Sequence, residues 1–267
     1  MSLGGFIRAC HPGPTAVMTV LITMVGLSLG WRGWSLVGLA TCVLVGQLSV
    51  GWSNDAHDAH ADRAAGRQAK PVVSGELSVR VLWPSAICAL VLSVGLSWWV
   101  AGWWGGSFHV LALAMAWLYN LRLSRTAWSW FPYAVAFAAL PPFLTFGSGN
   151  GAPPLWLLAV FPLIGVSAHL GNALPDIETD RAGGFGGTAV HLGARRTSVL
   201  CWALLAIATA TLFAEAVTGR WWWGVVVVCG FIGGAGYARF ATSRSATFHA
   251  LMGAVAVDAV VLVAVGA

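Results

Sequence analysis

A chain of 267 residues in which 58% are hydrophobic and 9% charged, with a mean hydropathy of +0.78, lies far outside the soluble norm of about 25% charged residues and reads as an integral membrane protein. The net charge of +5 would suit nucleic acid, but the basic residues stand near helix ends and in loops, so they read as a topology signal and nucleic acid is not expected as a partner. Cys10, Cys42, Cys88, Cys201 and Cys229 are scattered without metal-ligand spacing, which argues against zinc and against a disulfide framework.

Nine apolar runs, at 14–31, 34–53, 79–101, 106–121, 127–147, 153–171, 197–218, 221–238 and 246–266, approach the roughly 20 residues a helix needs to cross a bilayer. They are continuously apolar rather than alternating, so helices are expected and not a barrel. Pro12 and Pro14 suit the start of the first run. That run lacks a small-x-small cleavage site and is expected to be retained as a span. The first hairpin turns at Gly30–Gly33, and span two delivers Asn54 to the membrane boundary. The polar stretch 55–78 follows, and its second half, with Arg67, Lys70, Pro71 and Gly75, reads as a loop folded over the preceding polar residues. Span four ends in Tyr119, Asn120, Arg122 and Arg125, which brings more cations to the same side. Pro141 and Pro142 imply a kink in span five. Span six runs into a second polar segment, 172–195, in which Gly183–Gly187 is expected to act as a mobile cap.

Twelve of the fourteen basic residues fall on one side of this layout, and only Arg32 and Arg220 on the other. The positive-inside rule then places the N-terminus and both polar segments in the cytoplasm. Trp31, Trp34, Trp98, Trp99, Trp103, Trp104, Trp156, Trp221, Trp222 and Trp223 cluster at the opposite ends, as an interfacial belt would.

The two polar segments repeat one pattern. Asn54, Asp58, Asp62, Arg63, Ala64 and Gly66 recur 118 positions later as Asn172, Asp176, Asp180, Arg181, Ala182 and Gly184. On a helix, residues four apart share a face, so each Asn-Asp-Asp set predicts a polar stripe. The recurrence makes spans one to four and five to eight structural repeats, with span nine an addition, in one membrane domain over residues 1–267. Seven of the nine acidic residues (Asp55, Asp58, Asp62, Glu76, Asp176, Glu178 and Asp180) lie in or just after these copies. Carboxylates this dense repel unless a cation joins them. Mg²⁺ accepts one or two carboxylates and takes its remaining ligands from water and phosphate, so two Mg²⁺ ions bridging a diphosphate would balance Asp58, Asp62, Asp176 and Asp180. Arg63, Arg67, Lys70, Arg122, Arg125 and Arg181 complete a candidate phosphate clamp. Apolar helices around such a site suit a ligand with a diphosphate head and a hydrocarbon tail, which is the shape of an isoprenyl diphosphate. Loss of the diphosphate leaves an allylic cation, which a dry, aromatic-lined pocket protects.

On these residues the chain resembles the UbiA superfamily of intramembrane prenyltransferases. The NDxxDxxxD motif after helix two stands as Asn54, Asp55, Asp58 and Asp62, and the DxxxD motif after helix six as Asp176 and Asp180. The resemblance extends over nearly the whole chain and includes the Arg67/Lys70-Pro71 segment. It implies nine transmembrane helices around a central cavity open laterally to lipid. It also implies Mg²⁺-dependent transfer of a prenyl group from an isoprenyl diphosphate to a lipophilic or aromatic acceptor. Asn54, Asp58, Asp62, Asp176 and Asp180 would then hold metal, with Asp55 among the catalytic carboxylates. Family members often carry YxxxK after helix four, but here Tyr119 is followed at that spacing by Leu123, with Arg122 and Arg125 nearby.

Other polar residues receive plainer readings. Arg195 and Arg196 open span seven and read as topology determinants, and His57, His60 and His191 as solvated. His169 lies three residues before Asn172 and shares its face, which makes both candidates for the acceptor pocket. Asp258, inside span nine, is either a cavity residue or a carboxyl bonded to a neighbouring helix. A terpene cyclase that quenches the cation internally is the alternative reading. A transporter of an anionic lipid is a more distant one.

Overall fold

The computed structural model describes residues 2–184, 186–240 and 243–265, and every regular element in them is helical. In chain order the helices are α1 (Leu3–Ala9), α2 (Pro12–Ser28), α3 (Gly33–Ala64), α4 (Pro71–Ser74), α5 (Val79–Leu118), α6 (Trp130–Gly147), α7 (Leu155–Ala173), α8 (Ile177–Ala182), α9 (Thr188–Leu192), α10 (Ala194–Gly219), α11 (Trp221–Phe240) and α12 (Arg244–Val265), with a π-helical turn at Tyr119–Leu123. Phe185 of the expected cap, Gly266 of the ninth run and the side chain of Arg244 lie outside the described residues.

Seven helices are long and apolar enough to cross a membrane, or eight if α1 and α2, bent by 69° at their junction, count as one span. The expected nine is not reached by this criterion, partly because the third and fourth expected runs form the single element α5. At Gly102 that element leaves helical space, with φ 65° and ψ −176°. Ser97 Oγ and His109 Nδ1 are only 2.7 Å apart, whereas twelve residues of straight helix would separate them by about 18 Å. The chain therefore doubles back at Gly102. The fold-back is tight: a Cβ on Gly106 would stand 2.7 Å from Ser97 O and Trp98 Cα.

Two compact units are formed, residues 1–121 with 142–151, and residues 122–141 with 152–267. In the first, α3 packs along α5, and close approach is possible where side chains are small, as at Gly46, whose absent Cβ leaves room for Leu113 and Ser93. Trp31 is a correction to the expected belt. It is 1% exposed, and its indole N–H donates to Leu144 O at 2.9 Å. Trp34, Trp99, Trp103, Trp104, Trp221 and Trp222 are exposed, as interfacial rings would be. In the second unit, Val166 and Leu170 of α7, Cys201 and Leu205 of α10, and Leu251 and Ala254 of α12 form a core. Asp258 is buried there, and both its carboxylate oxygens accept from Thr209 Oγ1, at 3.2 and 3.1 Å. This is the helix-bonded alternative.

The 118-residue repeat extends to the elements. It carries the start of α2 at position 12 to the start of α6 at 130, the end of α3 at 64 to the end of α8 at 182, and the Gly102 break to Arg220, between α10 and α11. The helix α12 lies beyond the second copy.

Candidate active site

The first copy of the acidic pattern lies entirely on α3, which continues past the apolar run to Ala64. Asp55 and Asp62 are buried, Asn54 and Asp58 half-buried, and His57 and His60 face outward. Gly66, at φ 65°, then turns the chain, because only glycine enters that region without strain. The segment after it folds back on the helix. Lys70 Nζ donates to Asp55 Oδ1 at 2.7 Å and stands 3.0 Å from Asp62 Oδ2. Arg67 donates to Asp62 Oδ1 at 3.1 Å. The Lys70 contact with Asp62 Oδ2 has the distance of an ion pair but not the alignment of a hydrogen bond, so Oδ2 is a buried acceptor with no hydrogen-bond donor. Burial alone would lower the Lys70 pKa, but the hydrogen bond to Asp55 and the charges of Asp55 and Asp62 outweigh it and hold the ammonium above its usual value. Lys70 is therefore a fully charged cation at neutral pH, partly exposed, at the acidic stripe.

Two residues not singled out in the sequence complete this half. His11 Nε2 lies 3.0 Å from Asp55 Oδ1. Asn120, buried in the π-helical turn, donates from Nδ2 to Val50 O at 2.9 Å and Ser53 Oγ at 3.0 Å. Asn54 Nδ2 in turn donates to Asn120 Oδ1 at 3.5 Å and Asp58 Oδ2 at 3.3 Å. An asparagine at the end of an apolar run is the sequence signal that would have marked Asn120; the π turn that carries it is seen in the structure. Tyr119, half-buried, opens that turn.

The second copy departs from the expected continuous stripe. Asn172 is on α7, which ends at Ala173, and Asp176 caps the separate helix α8, whose Asp180 amide donates to Asp176 O at 2.8 Å. Pro175 is the cause, since it has no N–H and clashes with the preceding turn. Asp176 and Asn172 are exposed and Asp180 half-buried. His169 stacks on Tyr133, with centroids 4.2 Å apart, and its Nε2 lies 3.2 Å from Ser129 Oγ. Ser129 Oγ also accepts from Thr188 N at 3.0 Å and lies 2.9 Å from Thr188 Oγ1. Arg122 and Arg125 are both exposed. Glycine 186 packs on Arg125, whose carbonyl oxygen would be 2.9 Å from a Cβ there.

The arginines of the two copies do the same thing. Arg63 donates to Val72 O and Arg181 to Val190 O, each at 3.1 Å. Both acceptors lie nine residues downstream, and both glycines that follow the motifs, Gly66 and Gly184, have positive φ. These arginines staple the loops that succeed the motifs. The clasp residues differ: positions 55, 67 and 70 are Asp, Arg and Lys, and their counterparts 173, 185 and 188 are Ala, Phe and Thr. Among the described residues, the clasp of Arg67 and Lys70 belongs to the first copy.

The comparisons with known proteins bear on the family and the fold. The model of the UbiA prenyltransferase family matches residues 16–257. The 33 kDa chain of bacteriochlorophyll synthase from Cereibacter sphaeroides is 32% identical over 216 residues, which covers 76% of this chain and 69% of that protein. Digeranylgeranylglyceryl phosphate synthase from Methanoregula boonei is 29% identical over 237 residues, covering 84% and 80%. A UbiA homologue from Archaeoglobus fulgidus, solved with DMAPP and Mg²⁺, superposes with a TM-score of 0.70 at 19% identity, over 97% of this chain and 98% of that one. The apo UbiA homologue from Aeropyrum pernix gives 0.71 at 19% identity, over 94% and 95%. With the family model spanning most of the chain and both copies of the acidic pattern inside it, this protein belongs to the UbiA prenyltransferase family.

Proposed function

We propose that this prenyltransferase moves a prenyl group from an isoprenyl diphosphate to a lipophilic or aromatic acceptor, with Mg²⁺ and both acidic motifs holding the diphosphate. The observation that carries the reading is the clasp of Arg67 and Lys70 on the α3 stripe, where fixed cations and carboxylates alternate at one helix end. Such a site suits a ligand that brings both phosphate charge and metal.

The residues present fit magnesium. The donors Asn54, Asp58, Asp62, Asp176 and Asp180 are all oxygen ligands, and Asp62 Oδ2 is a buried acceptor without a hydrogen bond. Among the described residues no three His, Cys, Asp or Glu side chains form a ready-made metal cage, which accords with an ion that takes one or two carboxylates and finishes its shell with substrate phosphate and water. When bound, Mg²⁺ neutralises the diphosphate and makes it a better leaving group.

The chain supplies the rest. Lys70 and Arg67 face the phosphate oxygens, and the charge that develops there as the C–O bond breaks is stabilised by cations already in place. The apolar helices keep water from the allylic cation. On the second copy, the stacked His169–Tyr133 pair presents a flat aromatic surface that suits an acceptor ring. The motifs and the N-terminus lie on the cytoplasmic side, in keeping with the basic residues gathered there.

The test is incubation of the purified protein with Mg²⁺, isoprenyl diphosphates of graded length and a membrane lipid extract, with products identified by mass. Prenylated acceptor plus diphosphate is the expected result. Recovery of unchanged substrate would reject it.

A further inference from the structure

We propose that His11 and Asp55 are positioning residues: they hold Lys70 where the diphosphate needs it, and Asp55 serves the lysine rather than the metal. The inference rests on the reading of Lys70 as a diphosphate ligand.

Three independent observations converge. First, the geometry: Asp55 is 1% exposed, and its Oδ1 receives both Lys70 Nζ at 2.7 Å and His11 Nε2 at 3.0 Å. A buried carboxylate with both these contacts on one oxygen is committed to its partners. Since it can only accept, His11 Nε2 carries the proton.

Second, the internal repeat acts as a control. Counterparts of Asn54, Asp58 and Asp62 all persist in the second copy as Asn172, Asp176 and Asp180, whereas the counterpart of Asp55 is Ala173. The counterpart of Lys70 is Thr188, so the carboxylate and the lysine are absent together. A metal ligand would be expected to persist with the other ligands. The counterpart of His11 is Ser129, which contacts Thr188 directly, at 2.9 Å between hydroxyl oxygens. The position immediately before α2 and α6 thus clasps the loop in both halves, through a carboxylate where the clasped residue is charged and without one where it is neutral.

Third, the backbone at His11 is built for this task. It has φ 55°, and it is the one non-glycine residue with positive φ among the described residues, a conformation that is disfavoured in isolation and persists where surroundings enforce it. The elbow is seated on α3: Trp52 Nε1 donates to Phe6 O at 3.0 Å, and a Cβ on Gly51 would stand 2.5 Å from Cys10 O. Gly51 lies one turn before Asp55 on the same face. From the other end, Arg8 and Ser2 both bind Glu76, at the end of the Lys70 loop.

The test separates hydrogen bonding from backbone preference. Asparagine tolerates positive φ better than glutamine, but glutamine places its amide N–H nearer the position of His Nε2. Binding of inorganic diphosphate in the presence of Mg²⁺ is measured by calorimetry for the wild type and for His11→Ala, His11→Gln, His11→Asn and Lys70→Ala, with melting temperature recorded for each. We expect His11→Ala to weaken binding by about fivefold, a fraction of the value of a charged hydrogen bond, His11→Gln to restore most of it, and His11→Asn to restore less despite a melting temperature at least as high. Wild-type binding by His11→Ala, or better recovery with Asn than with Gln, would overturn the proposal. If His11→Ala does not fold, the Gln and Asn pair alone decides. If Lys70→Ala binds diphosphate as well as the wild type, the reading of Lys70 fails first and this inference with it. Loss with Lys70→Ala but none with any His11 variant rejects the inference alone.

Discussion

Asp58 and Asp62 occupy successive turns of one α3 face, but their contacts differ. Asp62 is tied to Arg67 and Lys70, while Asp58 is half-buried beside Asn54. Replacing Asp58 or Asp176 by Asn removes the charge and preserves the shape, so turnover should fall by about 100-fold or more, the scale on which metal sites respond to lost partners. The helical circular dichroism should not change. Near-normal kcat in either variant would take that carboxylate out of the site. Arg63 and Arg181 predict the opposite balance. Because each donates to a main-chain carbonyl, Arg63→Ala should cost about 1 kcal/mol of stability and raise the KM for prenyl diphosphate less than Lys70→Ala does. A larger KM effect from Arg63→Ala would return that arginine to the phosphate clamp.

At the scale of elements, two features decide whether the first half-site forms. One is the seat of the α1–α2 elbow on α3. A side chain at Gly51 meets the Cys10 main chain, with O, C and Cα all within 2.7 Å of a Cβ, and main chain cannot rotate away as a side chain can. Gly51→Ala should therefore lower the melting temperature, by the equivalent of roughly 1–3 kcal/mol for overpacking, and weaken diphosphate binding, because the elbow carries His11. An unaffected melting temperature would show that the elbow relaxes freely. The other is the fold-back of α5 at Gly102, pinned by the buried Ser97–His109 hydrogen bond and by His109 stacking on Phe143 at 4.4 Å. His109→Leu keeps the volume but removes the link across the fold-back, leaving the Ser97 hydroxyl its bond to Ser93 O at 2.6 Å. It should destabilise the protein by about 1 kcal/mol without changing metal dependence, as thermal unfolding and a Mg²⁺ titration in parallel would reveal.

Excess chelator should abolish turnover and Mg²⁺ should restore it, because carboxylates at this density do not accept diphosphate without a cation; full activity in chelator would refute the proposed function. Transferase and cyclase differ in what the second ligand does. With prenyl diphosphate alone, release of diphosphate should be slow, and the right acceptor should accelerate it, since proximity converts a bimolecular step into a local one. Fast release with a cyclic hydrocarbon or alcohol as sole product, indifferent to any acceptor, would favour the cyclase.

Membrane insertion, helical class, the internal repeat and the acidic motifs are legible in the sequence because each rests on a local property. Apolar runs must form helices in lipid, and a motif that recurs at a constant offset needs no coordinates to be seen. Pro175 was equally visible, and its consequence for the second stripe follows from one missing N–H. What only tertiary structure decided were the contacts made after long excursions of the chain. His11 reaches Asp55 across 44 positions, the Trp31 indole donates to Leu144 O across 113, and the fold-back at Gly102 depends on which faces of α5 meet. Hydropathy assigns each of these residues to a segment, but a side chain's partner is set by packing among segments, and an imidazole near a helix start reads as solvated until a buried carboxylate is found beside it.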